Sequence, residues 1–355
     1  MGQPPVSPNV TVVVCAYKIG ERIRPTIEAI LGQSYSSLRL LVIDDASGDN
    51  TVDVVNSFDD ERLTLVENDQ NLGIIDARNK GLALADTEFI ATCDHDDVWL
   101  PNKLEKQLAY MEQHQDCGLV GTYWTVYVNG KVDGVRTLPH IEPNYLKWSL
   151  FHRNCLLHSS LLMRAAYIKK YKIAYRDGLR FADDWKLCFD FARNCEIGII
   201  PESLVSYYIH GENWSVTARD NMLGSGVALF QQELPALLDR DVLEEEIRTF
   251  FYSVAGGTAI SDNKTLRMVG GTLQDIAEAN IAGGACRKVE KGYIEETASE
   301  IWWRVVRTSA GTYGPARLKL YKSPATPNTL KISTFEYCTE WLKACVKTLV
   351  SNIRN

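Results

Sequence analysis

Residues 89–101 read FIATCDHDDVWLP and place Asp94, Asp96 and Asp97 within four positions at the end of an apolar run. Two unit charges about 4 Å apart repel by roughly 4 kcal/mol at an effective dielectric of 20. The cluster therefore calls for solvent, a helix terminus, raised pKa values or a cation. Hard divalent ions such as Mg2+ suit it, since they take one or two protein carboxylates and complete their shell with phosphate oxygens and water. The plain alternative is that the aspartates cap a helix beginning near Pro101. Two further acidic pairs stand at comparable places. Asp44-Asp45 closes a second apolar run, where an Asx-turn opening the Gly48 loop is the simple outcome. Asp183-Asp184 precedes the helical run Trp185–Arg193, where the simple outcome is an N-cap.

The elements that must position these groups alternate along the first hundred residues. Val10–Cys15, Leu38–Ile43, Leu63–Glu67 and Glu88–Cys93 are short apolar or β-branched runs that predict strands. The segments 25–31, 52–58, 76–84 and 102–114 have helical spacing. Strands separated by helices of this length imply βαβ units and a mostly parallel sheet, an α/β fold class. Ligands of such sheets bind at the carboxyl ends of the strands. Tyr17-Lys18, Asp44-Asp45 and Asp94-His95-Asp96-Asp97 fall there, on one acidic rim. Neither a G-x-G-x-x-G after the first strand nor a G-x-x-x-x-G-K-[ST] is present, which disfavours dinucleotide and P-loop ligands.

Beyond residue 118 the pattern changes. Asn129-Gly130 between two apolar runs (119–128 and 132–138) is a strong hairpin signal and predicts a small antiparallel element. A short helix at 183–193 and strands at 196–200 and 203–209 follow. From about Ser225 the signals are helical, at 226–239, 242–254, 264–280 and 288–308, punctuated by Gly256-Gly257, Gly270-Gly271 and Gly283-Gly284. A Pro-containing break at 322–328 precedes a last amphipathic stretch, 334–353.

The net charge of −7 argues against a dedicated nucleic-acid binder. It is unevenly spread: nine Lys/Arg against two Glu from Ile301 onward leave a basic tail on an acidic body. The nine cysteines are scattered singly without a C-x-x-C pair, so a reducing, cytoplasmic compartment is expected. The N-terminal MGQPPVSPNV lacks the features of a signal peptide, and no uncharged apolar run reaches about 18 residues.

Six separated segments strongly resemble the family 2 glycosyltransferases of the GT-A fold: VTVVVCAYK (10–18), LLVIDDASGDNT (40–51), NLGIIDARNKGL (71–82), FIATCDHDDVWLPNKLEKQ (89–107), FADDWKLCFDFARN (181–194) and SLVSYYIHGENWS (203–215). The resemblance covers roughly the first 220 residues. It implies a GT-A domain over 1–220, with a Rossmann-like, mostly parallel sheet, nucleotide-sugar binding over about 10–107 and an acceptor side over about 118–220. Residues 221–355 then form a helical C-terminal region.

Carried over position by position, the resemblance assigns roles. Cys15, Ala16 and Tyr17 border the base, with Tyr17 a stacking group, and Asp45 reads the base edge. Asn71 and Arg78 face the nucleotide, Asp94 with His95 lies by the ribose, and Asp96 holds a Mn2+ or Mg2+ ion on the diphosphate. Asp97 caps or supports the following helix. His210 is a second metal ligand, and Gly211–Thr217 a lid. Asp184 is the general base, with Asp183 (where the family usually has Glu) as its capping or acceptor-side neighbour. His158, Trp185 and Trp214 are acceptor-side candidates, because aromatic faces stack on sugar rings.

The implied reaction is transfer from a nucleoside-diphosphate sugar, a UDP-sugar first, to a hydroxyl of a saccharide or lipid-linked saccharide, with inversion at the anomeric carbon. A sugar-1-phosphate nucleotidyltransferase is the enzymatic rival, but residues 15–24 contain only Gly20 where that class needs a Gly-rich basic loop. A catalytically degenerate glycan-binding or scaffold subunit is the non-enzymatic rival. For the C-terminal helices, packing on the body or on a second copy competes with peripheral attachment to the inner face of the cell membrane.

Overall fold

The computed structural model describes residues 9–210, 219–283 and 286–314, with five isolated positions beyond. It divides into two compact units, Met1–Pro143 with Asn154–Arg219, and Asn144–Arg153 with Asp220–Asn355. The segment Asn144–Arg153 thus groups with the C-terminal helices rather than with the 118–220 stretch around it.

In the first unit, strands β1 (Val10–Ala16), β2 (Leu38–Asp44), β3 (Leu63–Glu67) and β4 (Phe89–Asp94) run parallel in the order 3-2-1-4. Helices α1 (Arg24–Leu31), α2 (Thr51–Asn56) and α3 (Ile74–Leu84) make the crossovers. Every residue of β1 is buried, which explains its unbroken β-branched run: a central parallel strand is covered on both faces. Register puts Cys15 beside Ile43 on one side and Asp94 on the other, so the functional strand ends share one edge. Helix α3 lies close on β1 because Gly81 has no side chain. A Cβ there would stand 2.3 Å from Val13 Cγ1.

A short β5 (Val98–Trp99) and helix α4 (Lys103–Gln113) lead into β6 (Cys117–Val128). The Asn129-Gly130 turn then reverses the chain into β7 (Lys131–Arg136), both turn residues having positive φ as a type I′ hairpin needs. Next come α5 (Pro143–Ser149), β8 (Leu162–Arg164), α6 (Ala165–Tyr171) and α7 (Asp183–Asn194). The segments expected as two strands at 196–200 and 203–209 form one, β9 (Glu196–Ile209), whose parallel pairing with β6 shifts register near Thr122–Trp124. Strand β8 is antiparallel to β4 and β6, and β5 to β9, which completes a nine-stranded sheet.

The second unit is helical: it takes in α5 beyond Pro143, with α8 (Arg219–Leu238), α9 (Glu244–Val254), α10 (Asn263–Ala282) and α11 (Lys288–Tyr313). Gly256-Gly257 follows α9, and Gly270-Gly271 falls inside a helix, as the expected span 264–280 has it. It lies inside α10, where a Cβ on Gly270 would meet the Trp302 ring at 3.0–3.3 Å, so the glycine serves close helix packing. No described helix is long and apolar enough to cross a membrane. The expected lid (Gly211–Thr217), Trp214, the 322–328 break and all but three positions of the 334–353 stretch lie outside the described residues.

Candidate active site

A cleft of about 370 Å³ opens at the carboxyl edge of the parallel strands, and its walls include Cys15, Ala16, Tyr17, Asp45, Asn71, Arg78, Asp94, His95, Asp96 and His210. All nine positions expected to bind the nucleotide sugar, and the second expected metal ligand, therefore meet in one place. Lys18, Arg22 and Arg180 also line it. These three cations went unassigned in the sequence, where a lone basic residue after a strand or before a helix carries no signal of its own.

The two aspartates after β2 divide their work. Asp44 accepts from the Ser47 backbone N–H at 3.1 Å and from its hydroxyl, closing the Asx-turn. Asp45 accepts from Asn68 Nδ2, Leu72 N and Gly73 N, each at 2.8 Å, while Asn71 Nδ2 donates to the Asp45 carbonyl at 3.1 Å. Asp45 thus pins the 68–73 loop to the cleft wall. Tyr17 is 43% exposed and its ring lies free on the cleft lip, 5.1 Å from Lys18 Nζ. The Cys15 thiol is pushed up to about 12 by burial, which makes it a packing group and not a nucleophile.

The three carboxylates of DHDD face three different environments. Asp94 accepts from Arg78 Nη2 at 2.8 Å and contacts His158 Nδ1 at 2.9 Å. Burial opposes its ionisation, but His158 and Arg78 outweigh that and hold its carboxyl far below the usual range. Asp97 is fully buried and accepts from the Ser159 hydroxyl and, at 3.4 Å, from Tyr208 N. Burial, with Asp94 and Asp96 beside it, pushes its carboxyl well up. It caps no helix: α4 starts at Lys103 with Asn102 as N-cap. It fastens the turn after β4 to Ser159 and to β9. His95 Nδ1 lies 2.8 Å from the Cys15 carbonyl, turning that ring toward β1.

Asp96 Oδ2 stands 3.1 Å from His210 Nε2. Among the described residues no three carboxylate, imidazole or thiol groups converge as a metal site. A carboxylate and an imidazole facing each other on a cleft fit an ion that takes its remaining ligands from a diphosphate and water.

Arg78 is the centre of a buried network. Its guanidinium pairs with Asp94 at 2.8 Å and with Asp183, and its cationic carbon sits 5.4 Å from the Tyr175 ring centroid. Burial disfavours its charge, but Asp183 and Asp94 more than restore it. Arg78 therefore reaches the cleft as a clamped group. His158, expected on the acceptor side, is instead 5% exposed, with Nδ1 against Asp94 and Nε2 2.9 Å from the Tyr175 hydroxyl. Both ring nitrogens are used, so it positions Asp94 and offers no stacking face to a sugar. Trp185 is buried too, at 9% exposure, on the core side of α7.

Asp183 and Asp184 open α7 without capping it, since the N-cap is Ala182. Adjacent in sequence, they have different partners. Asp183 is buried and neutralised by Arg78. Asp184 accepts from Asn154 Nδ2 at 3.0 Å and from Trp185 N at 2.7 Å, and burial plus the Asp183 charge raise its carboxyl to about 6. Asn154 and Tyr175 were missed because their contacts close across 30 and 17 residues of chain and have no local sequence mark.

Residues 11–171 match the model of Glycosyl transferase family 2. The chain is 28% identical over 219 residues to an uncharacterised glycosyltransferase of Haemophilus influenzae, covering 59% of this chain and 68% of that one. Over 146 residues it is 33% identical to WfgD of Escherichia coli, a UDP-Glc:alpha-D-GlcNAc-diphosphoundecaprenol beta-1,3-glucosyltransferase, across 41% of this chain and 56% of that protein. Among solved structures, residues 1–349 of S. aureus TarS in complex with UDP-GlcNAc match with a TM-score of 0.58 over 92% of this chain and 95% of that one, at 15% identity, a likeness of fold. With its 3-2-1-4 parallel strands and the cleft at their carboxyl edge, the chain has the GT-A fold, and residues 11–171 of it carry the pattern of Glycosyl transferase family 2.

Proposed function

We propose that this enzyme transfers a sugar from a UDP-sugar to a hydroxyl of a lipid-linked saccharide, with inversion at the anomeric carbon and Asp184 as general base. The observation that carries the assignment is the unequal pair at the start of α7. Asp183 is committed to Arg78, whereas Asp184 keeps a carboxylate raised to about 6 and oriented by Asn154. A base with a pKa just below neutrality is ionised at neutral pH and still basic enough to take a proton in a transition state.

In this proposal the acceptor oxygen forms the bond to the anomeric carbon while the bond from that carbon to the diphosphate oxygen breaks. The hydroxyl proton passes to Asp184 and the electron pair leaves with UDP. One base and one displacement need no covalent sugar–enzyme intermediate, which is why inversion follows. Tyr17 and the Asp45-pinned loop flank the base, and Asp94 lies by the ribose. A Mn2+ or Mg2+ ion held by Asp96 and His210 would stabilise the charge of the departing diphosphate. The UDP donor and the lipid-diphosphate saccharide acceptor are supported by what WfgD uses and by the UDP-GlcNAc bound to TarS.

Purified protein, Mn2+, a panel of UDP- and GDP-sugars and a polyprenyl-diphosphate saccharide test this directly. UDP release that depends on acceptor, with the product in the inverted configuration, is expected. Failure of every donor to bind by calorimetry, with or without metal, overturns it.

A further inference from the structure

The second unit contains a cluster of donors that the proposed reaction does not use. Trp148, Ser149, His152 and Arg153 follow one another at positions i, i+1, i+4 and i+5, so they share one side of the α5 turn and its continuation. Each has a buried polar atom without a hydrogen-bond partner: Trp148 Nε1, Ser149 Oγ, His152 Nε2 and Arg153 Nε. Trp148 and Ser149 are fully buried and His152 is 7% exposed. Unpaired buried polar groups cost about 1–3 kcal/mol each, so four on one face is a standing expense that a ligand relieves.

Beside this row stand three arginines. Arg304 and Arg307 are exposed on α11, one turn apart, and Arg153 faces Arg304. Burial and the repulsion of Arg153 and Arg307 lower the pKa of Arg304, and His152, buried against Arg153 and Arg304, is held well below its ordinary value. Arg304 Nη2 donates to the Val254 carbonyl at 2.7 Å, which fixes that guanidinium in place. Among the described residues no carboxylate pairs with Arg153, Arg304 or Arg307, although neighbouring cations of the same unit such as Arg240, Arg248, Arg287 and Lys291 each face an acid. Among the described residues these three cations stand together with donors and without an anion, which describes half of a binding site.

We propose that Arg153, Arg304 and Arg307, with the 148–153 donor row behind them, bind a phosphate-ester anion at a site separate from the donor cleft. Guanidinium forks match phosphate oxygens two at a time, and a fixed guanidinium loses little freedom on binding. The tetrahedral anion takes bidentate contacts from the exposed arginines, and its charge removes their mutual repulsion. Two sources share this chemistry: the diphosphate of a lipid-linked acceptor and the phosphate headgroup of an anionic lipid. In the sequence, Arg153 directly precedes Asn154, the residue that orients Asp184. The site stands on the second unit alone and does not require the proposed reaction to be correct.

The test is calorimetric titration of the full chain with inorganic pyrophosphate, the donor cleft first saturated with UDP and Mn2+. One further equivalent of pyrophosphate is expected to bind, about tenfold or more weaker in Arg304→Gln/Arg307→Gln, with UDP affinity unchanged. Both residues lie at the surface, and Arg304→Gln gives up only the bond to the Val254 carbonyl, so the fold is expected to hold. Circular dichroism of the variant checks that. Flotation with phosphatidylcholine vesicles, with and without phosphatidylglycerol or a polyprenyl diphosphate, separates the sources: binding to the first additive assigns a headgroup, binding to the second alone assigns an acceptor. No binding of pyrophosphate to the UDP-saturated protein, or equal binding by the double variant, overturns the proposal. Because binding is read without turnover, its failure and a failure of sugar transfer are distinct results.

Discussion

Asp184 rises from 3.8 to about 6 on folding, a displacement of about two pH units. At about 1.36 kcal/mol per unit this is about 3 kcal/mol by which the site favours the protonated over the ionised carboxyl. A base of pKa about 6 is about nine-tenths ionised at pH 7 and about one-tenth at pH 5, so kcat/KM should fall about tenfold across that interval. A carboxylate of ordinary acidity would lose about a tenth of its activity or less over the same range. The assay is UDP release at sub-saturating donor and acceptor, in buffers of constant ionic strength. Asp184→Asn should lower transfer by about 10²–10⁴ while leaving UDP affinity unchanged. A flat profile from pH 5 to 7, or full transfer by the Asn variant, would refute the assignment. The same shift has a stability sign. The native state holds the proton more tightly than the unfolded chain, so stability declines as pH rises from about 4 to about 6 and stays lower above.

Neighbours of Asp184 should move that titration in opposite directions. Asp183→Asn removes the adjacent charge and shifts the acidic limb to lower pH, whereas Asn154→Ala removes a donor to the ionised form and shifts it to higher pH. Both are read from the pH dependence of kcat/KM. Asp96→Ala and His210→Ala should each weaken Mn2+-dependent binding of UDP and leave metal-free binding little changed, measured by calorimetry with and without chelator. Gly81→Ala forces a Cβ to 2.3 Å from Val13 Cγ1 and should cost about 1–3 kcal/mol in urea unfolding. The gain of about 1 kcal/mol in helix propensity does not offset such a clash.

The donor side was largely legible in the sequence because its groups sit at ends of consecutive strands. Periodicity locates β1, β2 and β4, parallel order aligns their ends, and Asp45, Asp94 and Asp96 follow by register. The hairpin at Asn129-Gly130 was legible for a local reason, since two adjacent residues with positive φ define it. What local pattern misses is partnership across distance. Asp97 looked like a cap because a helix follows, yet its partners are Ser159 and Tyr208. His158 was expected on the acceptor side because aromatic faces stack on sugar rings, yet Asp94 and Tyr175 take both nitrogens. The helix expected over 264–280 runs through Gly270 and Gly271 as α10 does, but the reason for the first glycine, the Trp302 ring packed against it, has no local mark.

Strand β9 sets a lower bound on what must be synthesised before the catalytic unit can hold together. The stretch that matches the family model ends at residue 171, short of the last two motifs. A nascent or recombinant fragment ending there would present β6 with one long edge unpaired from Cys117 to Val128 and would leave β5 without its only ladder. It would also lack Tyr208 N, one of the two groups that receive Asp97, and the Asp183 carboxylate that balances Arg78. Such a fragment is an open template for edge-to-edge association. Expression boundaries for this enzyme therefore belong after Ile209, and emergence of that strand from the ribosome is the step at which the donor cleft can first close around its charges.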